Sequence, residues 1–400
     1  MSLEQKPDVL SDRGPMIYEN WLSKHQDVPI PATYEYVLYT DAWITGEVTD
    51  GLGPYQLLNG LDFRQDNSIR AGIVLRVDVY EIIEESESEW KTDASSYHGG
   101  TIEDEIAALV SLSLGIRVRA GEMTRDFVIN SDPRGRPRGS IGGLTPTLLR
   151  RHSGDRFILP KAIGDHCLNE MVLLPKLPLL HPADATALVI AARSYQNAVW
   201  IAEAEPELAW LLMISAIETA AVHWKAGSDT PSQRLQISNQ KLYDLLLACG
   251  GAKHVEEVAL IIADSFQSTN KFIKFMTAYL PDPPPNRPAA FCQVDWSEAS
   301  MKKMLSTIYG HRSKALHTGI PFPAPMCMCS SHMGEETLLG SAARTMGATW
   351  ERKNAPMLLH TFEYIVRNVL LKWWASMLPK TSVASNAEKT IQAITNDSSQ

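Results

Sequence analysis

Arg312, Ser313 and His317, in the stretch TIYGHRSKALHTGIPFP, are residues of this 400-residue chain whose types could do proton-transfer and anion-binding chemistry. A histidine with an ordinary pKa near ~6.5 can give or take a proton close to neutral pH. Arginine cannot, but its rigid fork of N–H donors matches the oxygens of a phosphate. Ser313 can orient either residue or hydrogen-bond the phosphate itself. His311, just before the arginine, is a further phosphate contact or a packed histidine, and Lys314, Lys302 and Lys303 add positive charge along the same segment. Arg367 has a weaker claim of the same kind.

The spacing constrains how these groups cooperate. Five residues at about 100° each set Arg312 and His317 about 140° apart on an ideal helix, whereas Ser313 and His317, four apart, share a face. Met301, Leu305, Ile308 and Arg312 lie on one stripe, so Arg312 extends a face expected to pack. The helix must then loosen before Gly319, or a second subunit must complete the site. Glu218, in an otherwise apolar run of Met213, Ile214, Ala216 and Ile217, is a candidate partner for Arg312 whether the arginine is catalytic or simply ion-paired within a bundle. A histidine near a helix C-terminus also has an ordinary reading, since the helix dipole favours its charged form there.

Two periodicities divide the chain. Tyr34 to Thr40 and Ile69 to Ile83 are rich in Tyr, Val and Ile, with period-two alternation at Ile73, Leu75, Val77 and Val79, which predicts strands. Glu103 to Leu114 reads as a helix ended by Gly115, with Thr101 as its N-cap, and 116–118 and 126–129 as strands. After LLPKLPLLHPAD at 173–184 the pattern is helical over about 187–203, 206–224, 256–280, 295–317 and 356–378. Pro206 suits a first helical turn, and PDPPPNRP at 281–288 is a stiff linker. The expected organisation is α+β: a mixed N-terminal domain over 1–182, an all-α domain over 183–378, and a polar, disordered tail over 379–400.

The segment around Arg312 resembles the signature of the HEPN superfamily. Its extended form, Tyr309, then Arg312-Ser313, then His317, Gly319 and Pro321 to Pro323, is similar to the Apea-like branch, and SYQNAVWIAEAEPELAWLLMISAIETAA, NKFIKFMTAYLP and HTFEYIVRNVLLKWW follow in the matching order. The likeness covers about 100–378, more loosely before 183. It implies a helical bundle that pairs through the 295–317 helix into a homodimer with a composite active site. The implied activity is a metal- and cofactor-independent endoribonuclease. In such an enzyme the RNA 2′-OH attacks its own phosphate, His317 moves a proton, Arg312 stabilises the phosphorane, and 2′,3′-cyclic phosphate and 5′-OH ends result. A toxin or antiviral-defence role, with the first domain regulatory, is part of the same implication, and a higher oligomer or regulatory partner stays open. The alternative within the resemblance is a catalytically silent dimerisation or RNA-binding module.

The remaining signals are weaker. Cys327, Cys329 and His332 supply at most three ligands and lack a Cys-x2-Cys pair, so His360 or Cys292 would have to complete a zinc site. Residues 132–156 gather six arginines among glycines and prolines. Within them Arg134, Arg136 and Arg138 form an RNA-binding candidate that resembles an AT-hook core, or else a solvated insertion. The net charge of -9 does not mark a nucleic-acid binder, but the excess acid is confined to 1–182, with 18 Lys+Arg against 27 Asp+Glu; residues 183–378 balance at 17 against 17. The polar N-terminus, the missing apolar span and five unevenly spaced cysteines lead us to expect a cytoplasmic protein with reduced thiols. Walker A, His-Glu-x2-His and Gly-x-Ser-x-Gly motifs are absent, which leaves phosphate-loop and serine-hydrolase chemistry unsupported.

Overall fold

Alternating Ile73, Leu75 and Val77 can all be buried only on one face of a strand, and that face is the floor of the first core. A computed structural model describes the chain outside residues 1–12, 25–31, 61–67, 81–99, 128–138, 141–143, 151–155, 225–229, 239, 331–333, 339–343, 346–347 and 380–400. The fold is α+β. The chain forms two compact units, one made of 1–149, 160–200 and 371–400, the other of 150–159 and 201–370.

The first unit opens with α1 (Met16–Ser23), followed by β1 (Ala32–Thr40), β2 (Trp43–Thr45), β3 (Glu47–Val48), β4 (Tyr55–Asn59) and β5 (Arg70–Val79). Next come α2 (Ile102–Leu114), β6 (Arg119–Phe127), β7 (Gly139–Ser140), β8 (Asp165–Cys167) and α3 (Pro182–Ile201), whose last residue lies in the second unit. The main sheet runs β3-β4-β5-β1-β6-β7 with antiparallel pairing throughout, and β2 pairs separately and in parallel with β8. Glu35 of β1 stands opposite both Arg76 and Arg125, and its buried carboxylate is held between them. Asp41, past the end of β1, meets Arg117 in a fully buried ion pair, with Nε 3.1 and 2.9 Å from the two carboxylate oxygens. Buried Glu105 of α2 accepts the Ile17 N–H at 2.9 Å and so secures the first turn of α1.

Several expectations change here. Residues 116–118 are irregular and a single strand covers 119–127, because β6 takes its register from β1 rather than from local alternation. Gly115 ends α2 in a left-handed conformation (φ 72), and Thr101 stands at its N-cap, the carbonyl accepting the Glu105 N–H at 3.1 Å without a side-chain cap bond. The two compact units are discontinuous in sequence, and α3, but for its last residue, lies in the first of them. Helical periodicity assigns α3 to the helical domain, yet its side chains bind the first unit: Gln196 Nε2 donates to the Val118 carbonyl at 2.9 Å, Arg193 lies 3.6 Å from Asp104, and Arg119 sits 5.2 Å over the Trp200 ring. α1, β2, β3 and β4 carry too few residues for a periodic signal.

The second unit is helical among the described residues, apart from a short ladder of β9 (Arg344–Thr345) and β10 (Ala348–Thr349). Its helices are α4 (Pro206–His223), α5 (Pro231–Ser238), α6 (Gln240–Ala278), α7 (Glu298–Thr318) and α8 (Leu359–Met377), the end of α8 lying in the first unit. Gly251, at φ 67, interrupts α6 and makes it two helical pieces. Trp210 of α4 stacks on Phe322 and Phe362, with centroids 5.4 and 4.5 Å away, and donates to the Met326 carbonyl at 3.1 Å. This single side chain ties the segment after α7 back to α4. Among the described residues no helix is long and apolar enough to cross a membrane.

Candidate functional site

α7 is well specified locally. Asp295 sets its start by accepting the Ser297 N–H at 3.0 Å and the Ser300 hydroxyl at 2.5 Å, which holds its carboxyl below the usual range. Lys302 and Glu298 pair across one turn at 2.6 Å, and Gly319 ends the helix at φ 68. Met301, Leu305 and Ile308 are buried and seat the helix on α4 and α6. The next residue on that stripe is Arg312, where the packed face reaches the surface.

There Arg312 Nη2 donates to Glu218 Oε2 at 2.8 Å, and the Tyr309 hydroxyl donates to Glu218 Oε1 at 2.6 Å. One carboxylate thus bridges two residues three apart on α7, a spacing that puts both on one side of the helix. The Arg312 guanidinium lies 5.4 Å from the Tyr309 ring centroid, and that ring packs 5.1 Å from Phe272 of α6. Burial, with the hydrogen bond to Glu218 and its charge, pushes the Tyr309 hydroxyl up to about 12, so it remains a donor across the physiological range. The Arg312 and Glu218 side chains keep 24% and 21% of their exposure, so water reaches the pair.

The other candidates separate around this trio. α7 stays helical through Thr318, so it does not loosen before Gly319, and the angle of about 140° between Arg312 and His317 persists within one chain. His317 is exposed in the last turn, and Ser313, on its face, is half-buried. His311 is turned elsewhere: its Nε2 lies 2.7 Å from the Asn354 carbonyl, its ring is 6.1 Å from Phe322, and burial lowers its pKa. Lys314 is exposed. Arg134, Arg136 and Arg138 lie outside the described residues, as do His332 and the tail from 380. Cys292 and Cys327 are buried and Cys329 is half-buried; among the described residues no three His, Cys, Asp or Glu are grouped to hold a metal ion. Tyr309 was visible in the sequence only as part of a resemblance, although its three-residue step to Arg312 could have signalled a shared partner.

Comparison with protein-family models, with curated proteins and with solved structures gives no match to this chain.

Proposed function

We propose that the chain is a HEPN-type endoribonuclease of the Apea-like kind, cleaving RNA without a metal and acting as a homodimer through α7. The observation that carries this reading is the posture of Arg312. It stands at the end of a packed stripe, open to water, with its fork already engaged by an oxyanion, the Glu218 carboxylate. An arginine held this way is suited to a phosphate of similar charge and shape. His317 is exposed on the same helix, and the outward residues Lys303, Ser306, Gly310 and His317 form a stripe along which a second α7 can approach. In the dimer the reading requires His317 of one protomer to reach the phosphate held by Arg312 of its partner, which lies about 140° round α7 from the His317 face. His317 would move the proton of the 2′-OH or of the leaving oxygen, and Arg312 would stabilise the pentacovalent phosphorane.

A second reading has its own observation. Glu218 neutralises Arg312, and within one chain His317 faces away from it, as suits a silent dimerisation or RNA-binding module in the same helical framework.

Incubating wild type, Arg312→Ala and His317→Ala with RNA in EDTA separates the two. The nuclease reading expects 2′,3′-cyclic phosphate ends from wild type and at least a roughly hundredfold loss in each variant. Equal cleavage by all three, or none by any, would favour the silent module. Sedimentation of wild type should show a dimer, and a monomer at every concentration counts against the composite site.

A further inference from the structure

We propose that Glu218 is an intramolecular gate on Arg312, a carboxylate that occupies the phosphodiester's place on the guanidinium and must be displaced before RNA can be held there. The proposal rests on reading Arg312 as a phosphate-binding residue.

Three features of the trio carry it. First, Glu218 takes Arg312 through Nη2, an end of the fork that a phosphate oxygen would use, at a charge-assisted distance of 2.8 Å. Second, the carboxylate is itself restrained: its other oxygen accepts from Tyr309, which is 6% exposed and whose ring packs on Phe272. The acceptor is therefore anchored in the framework, while Arg312 sits on a long flexible stem at the surface. Third, both partners keep about a fifth to a quarter of their exposure, so the pair is screened and exchangeable rather than sealed. A gate of this kind must be strong enough to hold Arg312 in the resting chain and weak enough for a polyanion to displace.

The test uses the full chain and a short fluorescein-labelled RNA carrying 2′-O-methyl groups, which can bind but cannot be cut by 2′-OH attack. Glu218→Gln keeps the shape and removes the charge. It should bind this RNA roughly fivefold more tightly, the fold-change that about 1 kcal/mol of lost ion pair corresponds to. Glu218→Gln combined with Arg312→Ala should lose that gain. Glu256→Gln, the same charge change at an exposed position of α6, should show none of it. Thermal unfolding and circular dichroism of each variant confirm that it is folded. Glu218→Gln binding no tighter than wild type, or Glu256→Gln gaining equally, overturns the gate. So does a gain that survives removal of Arg312.

Cleavage of unmodified RNA is measured alongside. If no protein cleaves, yet the Arg312-dependent gain in binding is present, the gate stands and the nuclease reading falls. If wild type cleaves but folded Glu218→Gln does not, Glu218 positions Arg312 for catalysis and the gate is overturned.

Discussion

Two arginine–carboxylate pairs lie in the two units of this protein, and their chemistry is the same while their surroundings are not. Arg117 and Asp41 are both fully buried, joined through Nε to both carboxylate oxygens, with Arg70 adding a hydrogen bond to the Asp41 carbonyl at 3.1 Å. Arg312 and Glu218 meet through one end of the fork and remain partly wet. In the first pair neither charge has water to fall back on, so each is hostage to the other. In the second, solvent stands ready to replace either partner, and the free energy of the pair is small. A buried ion pair specifies a structure; one at the water boundary can be exchanged for a ligand.

The comparison is broken most directly by removing one carboxylate from each pair. Asp41→Ala should lose about 3–5 kcal/mol in urea unfolding, because Arg117 is left charged and buried. Replacing both members with apolar residues, Asp41→Leu with Arg117→Met, should recover much of that loss. A cost for Asp41→Ala comparable with that of Glu218→Gln would erase the distinction.

Next in size is Glu105, an acid buried in α2. Burial pushes its carboxyl up to about 7, against the pull of the Ile17 and Met16 N–H groups and of Arg193, with Asp104 adding to the rise. A carboxyl raised in the folded state binds its proton more tightly there than in the unfolded chain. Its contribution is therefore fully present below about 4.5 and is lost as pH rises through about 7, amounting to roughly 3 kcal/mol. Glu105→Gln should remove this slope, seen as a smaller difference in unfolding midpoint between mildly acidic and mildly alkaline buffer. An unchanged slope would show that Glu105 is not the group responsible.

Tyr309→Phe should cost about 1 kcal/mol of stability, since Glu218 Oε1 loses its donor at a part-buried site. Glu218→Gln should cost less than about 1 kcal/mol, and added salt should shrink that cost further, whereas the cost of Asp41→Ala should hardly respond to salt. A salt-insensitive Glu218 would mean that the second pair behaves like the first.

How far the sequence reached differs between these places. The stripe Met301, Leu305, Ile308, Arg312 is a property of one helix, and it located both the packed face of α7 and the point where that face reaches solvent. Glu218 stood out as an acid in an apolar run and so could be offered as a candidate partner for Arg312. Tyr309 as the second holder of that carboxylate was not read from the sequence. The pair Asp41 and Arg117 carried no such mark, since 76 residues separate them and nothing local distinguishes either from a surface charge. β6 was misplaced for a similar reason: its residues are half-buried, exposed Glu122 apart, and show no alternation to read.

What the sequence by itself determined is the local periodicity: α3, α4, α7, α8 and the second part of α6, the two long strands β1 and β5, the glycine end of α2 at Gly115, and the angular mismatch between Arg312 and His317. These follow from side-chain spacing along a single element. Only the tertiary structure decided that α3 belongs with the sheet, that Arg117 is sealed against Asp41, and that Arg312 is held by a carboxylate anchored through Tyr309. Each depends on residues brought together from distant parts of the chain, where burial, rather than residue type, decides whether a charge is a structural pin or an exchangeable contact.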